Sequence, residues 1–358
     1  MKIISVVGAR PQFIKAAAVS REIANLPDMT ELLAHTGQHF DDNMSDVFFR
    51  EMEIPSPAYH LNIHSLSHGA MTGQMLVRLE EVFQREKPSL VMVYGDTNST
   101  LAGALAASKM RIPVAHVEAG LRSFRMSMPE EINRVLTDRI STLLFCPTDA
   151  AVENLKAEGI GRSGAKIVQC GDVMYDAVLY YRTKALERST ILECIKSERF
   201  ALCTVHRAEN TDDVKNLKAI FAALEKVNAE LPVILPIHPR TRKLVDSAGL
   251  TTKATLLEPV SYFDMLRLLQ QCEIVLTDSG GLQKEAYFFG KPCVTLRDET
   301  EWVELVEAGA NRIAGATTDS ILKAYSEMRG AKVTVDARFY GNGCAAKLIA
   351  DELSSFSG

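Results

Sequence analysis

The chain has 358 residues, more than one hydrophobic core ordinarily organises, so two domains are expected. Hydrophobic residues make up 47% and charged residues 24%, and the formal net charge of -5 excludes a global basic field for nucleic acid while allowing a local cationic pocket. Seven cysteines without a CxxC pair read as reduced thiols of a cytoplasmic protein, and no apolar run approaches the ~20 residues that cross a bilayer.

In chain order, KIISVVG is a predicted strand and PQFIKAAAVSREI a helix with Pro11 in its first turn. Arg10, Pro11 and Gln12 interrupt the opening apolar run, so no signal segment is expected. SLVMVYGD, IPVAHVEAG and TLLFCPT are predicted strands, separated by the helices NSTLAGALAASKM and MPEEINRVLTDRI, the latter opened by Pro129. A second series begins after Gly171, with strands RFALCTVH, LPVILPIH, CEIVLTDSGG and KPCVTLR. Asn210, Thr211 or Asp212 is the expected cap of the helix DDVKNLKAIFAALEKV. The connection Asp172–Arg182 is the expected hinge. Strands this apolar need helices on both faces, so the expected class is α/β with two Rossmann-like domains facing a cleft.

Candidate functional residues cluster where these strands end. Asp96 follows one strand in YGDTNST and Glu118 the next in HVEAGLR, while Glu130 and Glu131 open a helix. Three clustered carboxylates can share a proton for acid/base work, although acidic residues also favour helix N-termini for electrostatic reasons alone. Arg10 and Lys15 lie at the first strand-to-helix junction, within reach of an anion over the sheet. In DSGGLQKEA, two glycines let the backbone approach an oxygen-rich ligand, and Glu285 can accept ribose hydroxyls. His206 and Arg207 end one strand, and His238 and Arg240 occupy the corresponding place in PIHPRTR, residue types that suit a diphosphate. Gly159, Gly161 and Gly164 match G-x-G-x-x-G but follow a helix and precede a strand, the reverse of a dinucleotide site, so no NAD is expected. His60, His64 and His68 are flanked by Pro55, Pro57 and Gly69, and no metal is expected there.

GARPQFIKAAAV, HTGQH, YGDTNSTLAGALAA, HVEAGLR, PEEINR, TVHRAEN and TDSGGLQKEA, in this order, resemble the non-hydrolysing UDP-N-acetylglucosamine 2-epimerases. The resemblance implies a glycosyltransferase-B fold. Its final helix, AAKLIADELSS, would return to the first domain, giving domains 1–170 plus 344–358 and 171–343. It also implies a homodimer, no cofactor, and a UDP-amino sugar as substrate. Inversion at C2 would proceed by expulsion of UDP, formation of a 2-acetamidoglucal, reprotonation from the other face and re-addition. By similarity, Asp96, Glu118 and Glu131 form the acid/base group. Arg10, Lys15 and His206 would steady the diphosphate, and Ser279, Gly280, Gly281 and Glu285 would hold the nucleotide.

Some positions depart from the commoner pattern. Trp302 stands where many members have arginine, GARPQ replaces GTRPE, and RSFRMSMPEE and FDDNMS also differ. These variants resemble the branch acting on UDP-2,3-diacetamido-2,3-dideoxyglucuronate, an O-antigen precursor, and Arg122 or Arg125 would then read the extra carboxylate. A glycosyltransferase of the same fold and a silent UDP-sugar sensor are the other classes considered.

Overall fold

Strand-then-helix alternation builds two all-parallel sheets in the computed structural model, which describes residues 1–38, Phe49 and 51–356. The chain divides into Met1–Leu179 with Asp336–Gly358, and Tyr180–Val335. His39 of HTGQH and the segment FDDNMS lie outside the described residues.

In the first unit the strands are β1 (Lys2–Val7), β2 (Thr30–His35), β3 (Tyr59–His60), β4 (Leu90–Tyr94), β5 (Val114–Val117), β6 (Leu143–Cys146) and β7 (Lys166–Gln169). They form a seven-stranded sheet in the order β3-β2-β1-β4-β5-β6-β7. Every residue of β4, β5 and β6 is buried, which explains their unbroken apolar runs. The chain leaves β1 toward one edge of the sheet and returns at β4 to fill the other. Loops diverge at such a reversal, so a crevice opens past the carboxyl ends of β1 and β4.

The second unit repeats the plan with β8 (Ala201–Thr204), β9 (Val233–Pro236), β10 (Thr255–Leu257), β11 (Ile274–Thr277), β12 (Cys293–Thr295) and β13 (Asn311–Ile313). Their order, β10-β9-β8-β11-β12-β13, places the reversal between β8 and β11. One core covers one face of this sheet around Leu217, Phe221, Leu224 and Leu276, and a second gathers Leu202, Leu268, Leu269 and Val275.

One local expectation needs correction, and two others take a definite place in the fold. The helix Val214–Glu230 is capped by Asp213, whose side chain accepts from the Lys215 amide, and not by Asn210, Thr211 or Asp212. Asn210 and Thr211 instead lie in the short helix Ala208–Thr211, because the Asn210 side chain is drawn inward to bond Asp278. The expected hinge Asp172–Arg182 falls almost wholly within the continuous helix Val173–Arg188, and the two units divide inside that helix, between Leu179 and Tyr180. Gly159, Gly161 and Gly164 belong to a 3-10 turn over Ile160–Ser163 and its flanks, between the helix Asp149–Ala157 and β7.

The last helix, Ala345–Ser354, packs on the first, Arg10–Ala24, inside the first unit. Its N-terminus is capped by the buried Asp176, which accepts from the amides of Ala345 (3.2 Å) and Ala346 (2.7 Å). Burial outweighs these bonds and pushes the Asp176 carboxyl up to about 6 from 3.8. A raised folded-state value makes this carboxyl's contribution to stability complete at low pH, and ionisation erodes it as pH rises through about 4 to 6. Asp176→Asn is therefore expected to gain on the wild type by about 3 kcal/mol between about pH 4 and pH 7. Hydrogen-exchange protection of Ala345–Ser354, corrected for intrinsic rates, measures the difference, and a flat difference would contradict it.

Candidate active site

The crevice of the first unit is built from the turns that follow β1, β4 and β5. After β1 the chain enters the helix Arg10–Ala24, with Pro11 in its first turn and Arg10 opening it. Gln12, buried in that turn, accepts from the amides of Gly8 (2.7 Å) and Ala9 (3.0 Å). Its amide group donates to the Tyr94 carbonyl (2.7 Å), Thr97 Oγ1 (3.0 Å) and Thr100 Oγ1 (2.9 Å). A glutamate here could take the two amides but give nothing to the carbonyl, so glutamine in GARPQ ties the β1 turn to the end of β4. Gly8 is required because a Cβ there would lie 2.0 Å from Thr36 Oγ1 and 2.3 Å from Ser99 Oγ.

Pairing of Tyr94 with Val117 sets the ends of β4 and β5 side by side, so Asp96 and Glu118 leave adjacent strands. Glu118 adopts φ +74°, a conformation that costs a residue with a Cβ about 1–2 kcal/mol. Its own amide and that of Ala119 both bond the Phe145 carbonyl, at 3.1 and 3.0 Å, which holds the turn. Strain of this kind is characteristic of functional turns. The Glu118 carboxylate forms an ion pair with Lys15, each side chain only 9% exposed. Lys15 therefore reaches across the crevice to the acidic group, as charge compensation for a buried carboxylate.

Asp96 is the more open carboxylate, 29% exposed, and pairs with Arg134. Arg134 also holds Glu131, one turn earlier on the helix Pro129–Ile140, at 3.0 Å. Glu131 is buried and accepts from the Ser123 amide and hydroxyl, both at 3.0 Å, and from the Phe124 amide at 2.9 Å. It thus clamps the loop that carries Phe124, 78% exposed at φ +59°, and Met126. Glu130, its neighbour, is exposed. Arg122 is not available to a ligand: its guanidinium is bonded to Glu158 (2.6 and 2.9 Å), Asp138 (2.7 Å) and the Leu121 carbonyl (2.7 Å). Of the two arginines proposed to read an extra carboxylate, Arg125 remains, on the exposed part of this loop.

In the second unit, His206 and Ser279 leave the neighbouring strands β8 and β11, at the corresponding reversal. Asp278, fully buried between them, accepts from the amides of His206 (3.0 Å) and Arg207 (3.0 Å) and from Asn210 Nδ2 (3.1 Å). His206 Nδ1 lies 3.2 Å from Asp278 Oδ1, and the His206 side chain is 48% exposed. Arg207 occupies the residue before the helix Ala208–Thr211, with no side-chain bond to its first turn. His238 caps the helix Pro239–Ser247, its Nδ1 accepting from the Arg240 amide at 3.2 Å, which fixes the hydrogen of the neutral ring on Nε2.

Ser279 caps the helix Gly280–Phe288, which carries Gly280, Gly281 and the buried Glu285. A Cβ at Gly280 would stand 2.3 Å from Glu301 Oε1, whereas one at Gly281 meets nothing within 4 Å. Glu301 is in turn paired with Arg297 at 2.9 Å. Trp302, buried beside it, presents its ring 4.0 Å from the Lys284 ammonium. An arginine at 302 would set a second cation there, so tryptophan suits a chain with lysine at 284.

The structure brings Lys15, Asp96, Glu118 and Glu131 together in one unit, and His206, Arg207, Ser279, Gly280 and Gly281 around one reversal in the other. Sequence reasoning passed over Arg134, His116, Asp138 and Asp278. Only Arg134, three residues after Glu131 on a helix, carried a usable spacing signal. Among the described residues, no group of three His, Cys, Asp or Glu is placed to hold a metal ion, and no helix is long and apolar enough to cross a membrane.

Comparison with known proteins gives these sites a context. The family model described as UDP-N-acetylglucosamine 2-epimerase matches residues 21–354. A Pseudomonas aeruginosa protein named UDP-2,3-diacetamido-2,3-dideoxy-D-glucuronate 2-epimerase is 53% identical over 355 residues, covering 99% of each chain. The crystal structure of Methanocaldococcus jannaschii UDP-GlcNAc 2-epimerase in complex with UDP-GlcNAc and UDP is 41% identical, with a TM-score of 0.93, covering 99% of this chain and 100% of its own. The Neisseria meningitidis enzyme bound to UDP-GlcNAc is 32% identical, with a TM-score of 0.88, over 99% and 100% of the two chains. Strand order, carboxylate cluster and glycine-headed helix thus meet an end-to-end likeness, and the chain belongs to the UDP-N-acetylglucosamine 2-epimerase family, with its glycosyltransferase-B type of fold.

Proposed function

We propose that this protein inverts C2 of a UDP-linked 2-acetamido sugar without a cofactor, converting UDP-N-acetylglucosamine to UDP-N-acetylmannosamine. The observation that carries the reading is the set of three carboxylates on adjacent turns, Asp96 and Glu131 joined by Arg134 and Glu118 paired with Lys15. C2 is not next to a carbonyl, so its proton becomes acidic only as positive charge builds at C1. In the forward step a carboxylate takes the C2 proton, the C–H electron pair forms the C1–C2 double bond, and the C1–O bond breaks with its pair going to UDP. The glycal then receives a proton at C2 from the opposite face while a diphosphate oxygen re-forms the bond to C1. Asp96, Glu118 and Glu131 supply the proton traffic. Arg10, Lys15, Arg207, His206 and His238 steady the diphosphate, and Ser279, Gly280, Gly281 and Glu285 hold the nucleotide.

Proton NMR of the protein with UDP-N-acetylglucosamine in heavy water tests this directly. Exchange at C2 with appearance of the manno isomer is expected. Binding of UDP without exchange would remove the simple amino sugar as substrate. UDP release that requires an added acceptor would indicate a transferase instead.

A second reading, the same reaction on UDP-2,3-diacetamido-2,3-dideoxyglucuronate in O-antigen polysaccharide synthesis, is favoured by the 53% identical relative of that name. The loop Ser123–Ser127 supports it, since Phe124 and Met126 offer apolar surface and Arg125 a cation. Arg125→Ala should then weaken the uronate substrate about 10-fold or more and spare UDP-N-acetylglucosamine, as loss of a charge-assisted contact to one carboxylate implies. Equal loss on both would sink the assignment. The protein is further read as a cytoplasmic homodimer. Ile132 (39% exposed) and Leu136 (47%), one turn apart on the helix Pro129–Ile140, support a paired face, and light scattering at the mass of one chain would contradict it.

A further inference from the structure

His116, the third residue of β5, is fully buried, and both of its ring nitrogens are bonded. Nε2 lies 2.7 Å from the Gly95 carbonyl oxygen and Nδ1 2.7 Å from Asp138 Oδ1. A carbonyl only accepts, so Nε2 carries a hydrogen. The other Asp138 oxygen accepts from Arg122 Nη1 at 2.7 Å and from the Gly120 amide at 3.2 Å. A carboxylate held by a guanidinium and an amide is ionised and also only accepts, so Nδ1 carries a hydrogen as well. The charges facing this ring are accounted for: Asp138 answers His116, and Arg122, shared with Asp138, is answered by Glu158.

We infer that His116 is a buried, doubly protonated imidazolium that positions the three acid/base carboxylates relative to one another. Each carboxylate hangs on an element tied to this ring. Gly95, whose carbonyl the ring holds, directly precedes Asp96, and its φ of +63° turns the chain there. His116 itself lies two residues before Glu118, and Asp138 fixes the far side of the Glu118 turn through the Gly120 amide. Asp138 stands on the helix Pro129–Ile140, which carries Glu131 and Arg134. The Gly95 carbonyl held by this ring sets how far Asp96 stands from Glu118. His116 touches no reacting atom in this scheme. It acts through the turns, and the inference rests on the epimerase reading above.

Two measurements on the full chain test it. In protein labelled with nitrogen-15 at histidine, the His116 ring, assigned by its loss in His116→Gln, should show hydrogens on both nitrogens. A single protonated nitrogen overturns the charge assignment, and this result needs no substrate, so it stands whether or not the protein proves to be an epimerase. In kinetics, His116→Phe, which keeps the ring's bulk and loses both donors, should lower kcat about 100-fold, the scale on which a displacement of 1 Å acts. KM and UDP affinity should stay within about twofold, because most residues assigned to UDP, among them His206, Ser279 and Gly281, belong to the other unit. His116→Gln, retaining one donor, should fall between Phe and wild type. Wild-type kcat in folded His116→Phe, or parallel loss of kcat and UDP affinity, would overturn the positioning role. If neither variant folds, the labelling experiment, assigned instead by sequential backbone-to-ring correlation, still decides.

Discussion

Glu118→Gln is expected to lower turnover by about 10²–10⁴-fold while leaving UDP affinity unchanged, the range seen when a positioned proton donor or acceptor is removed. The size of the effect follows from the site's economy of groups. Glu118 is held in a strained turn at φ +74°, is only 9% exposed, and has Lys15 as its ion-pair partner. Glutamine preserves the length and can still accept from Lys15, so the turn and the crevice should keep their shape. The negative charge and the ability to take or give a proton are lost. If Glu118 served merely as the counter-ion of Lys15, Glu118→Gln would lower stability and UDP affinity along with turnover, since it leaves a nearly buried ammonium without its charge partner. As an acid/base group it loses turnover far more than either. Washout of the C2 hydrogen in heavy water reads the chemical step directly, and near wild-type exchange in Glu118→Gln would strike this residue from the mechanism.

Asp278→Ala should destabilise the second unit by about 3–5 kcal/mol, because it strips one fully buried acceptor from three donors at once. The amides of His206 and Arg207 and the Asn210 side chain all lose the acceptor they share on the fully buried Asp278. Asp278→Asn keeps one acceptor oxygen and should cost less, about 1–2 kcal/mol. The single tryptophan, Trp302, is buried in this same unit, so its fluorescence during denaturation reports the unfolding of the affected half. UDP affinity should fall in the order wild type, Asn, Ala, as the β8 turn bearing His206 loosens. Equal stability of all three would mean that Asp278 does not organise that turn.

These two residues differ in how far the sequence alone reveals them. Glu118 was visible because a carboxylate ending an apolar strand needs a partner or a ligand, and that rule is local. Asp278 ends an equally apolar strand in DSGG, yet it organises His206 and Asn210, which follow a strand more than sixty residues earlier in the chain. No spacing rule connects positions that only sheet order makes neighbours. Asn210 is the same lesson in reverse. It reads locally as a helix cap, but its side chain bonds Asp278 and the Leu296 carbonyl, and Asp213 takes the cap.

Periodicity, proline-opened helices and strand-end motifs thus determined the α/β class, most strands and helices, and the family resemblance, because each depends on residues close in sequence. Sheet order, the clamp of Glu131 on Ser123 and Phe124, the withdrawal of Arg122 into Asp138 and Glu158, and the two bonds of His116 were decided only by tertiary structure. Locally, the histidine inside VAHV carries no functional signal and Arg122 in LRSF reads as a contact for a substrate carboxylate. What separates them from those readings is the geometry of parallel strands and a crossing helix, which brings buried charges together and obliges each to find its partner.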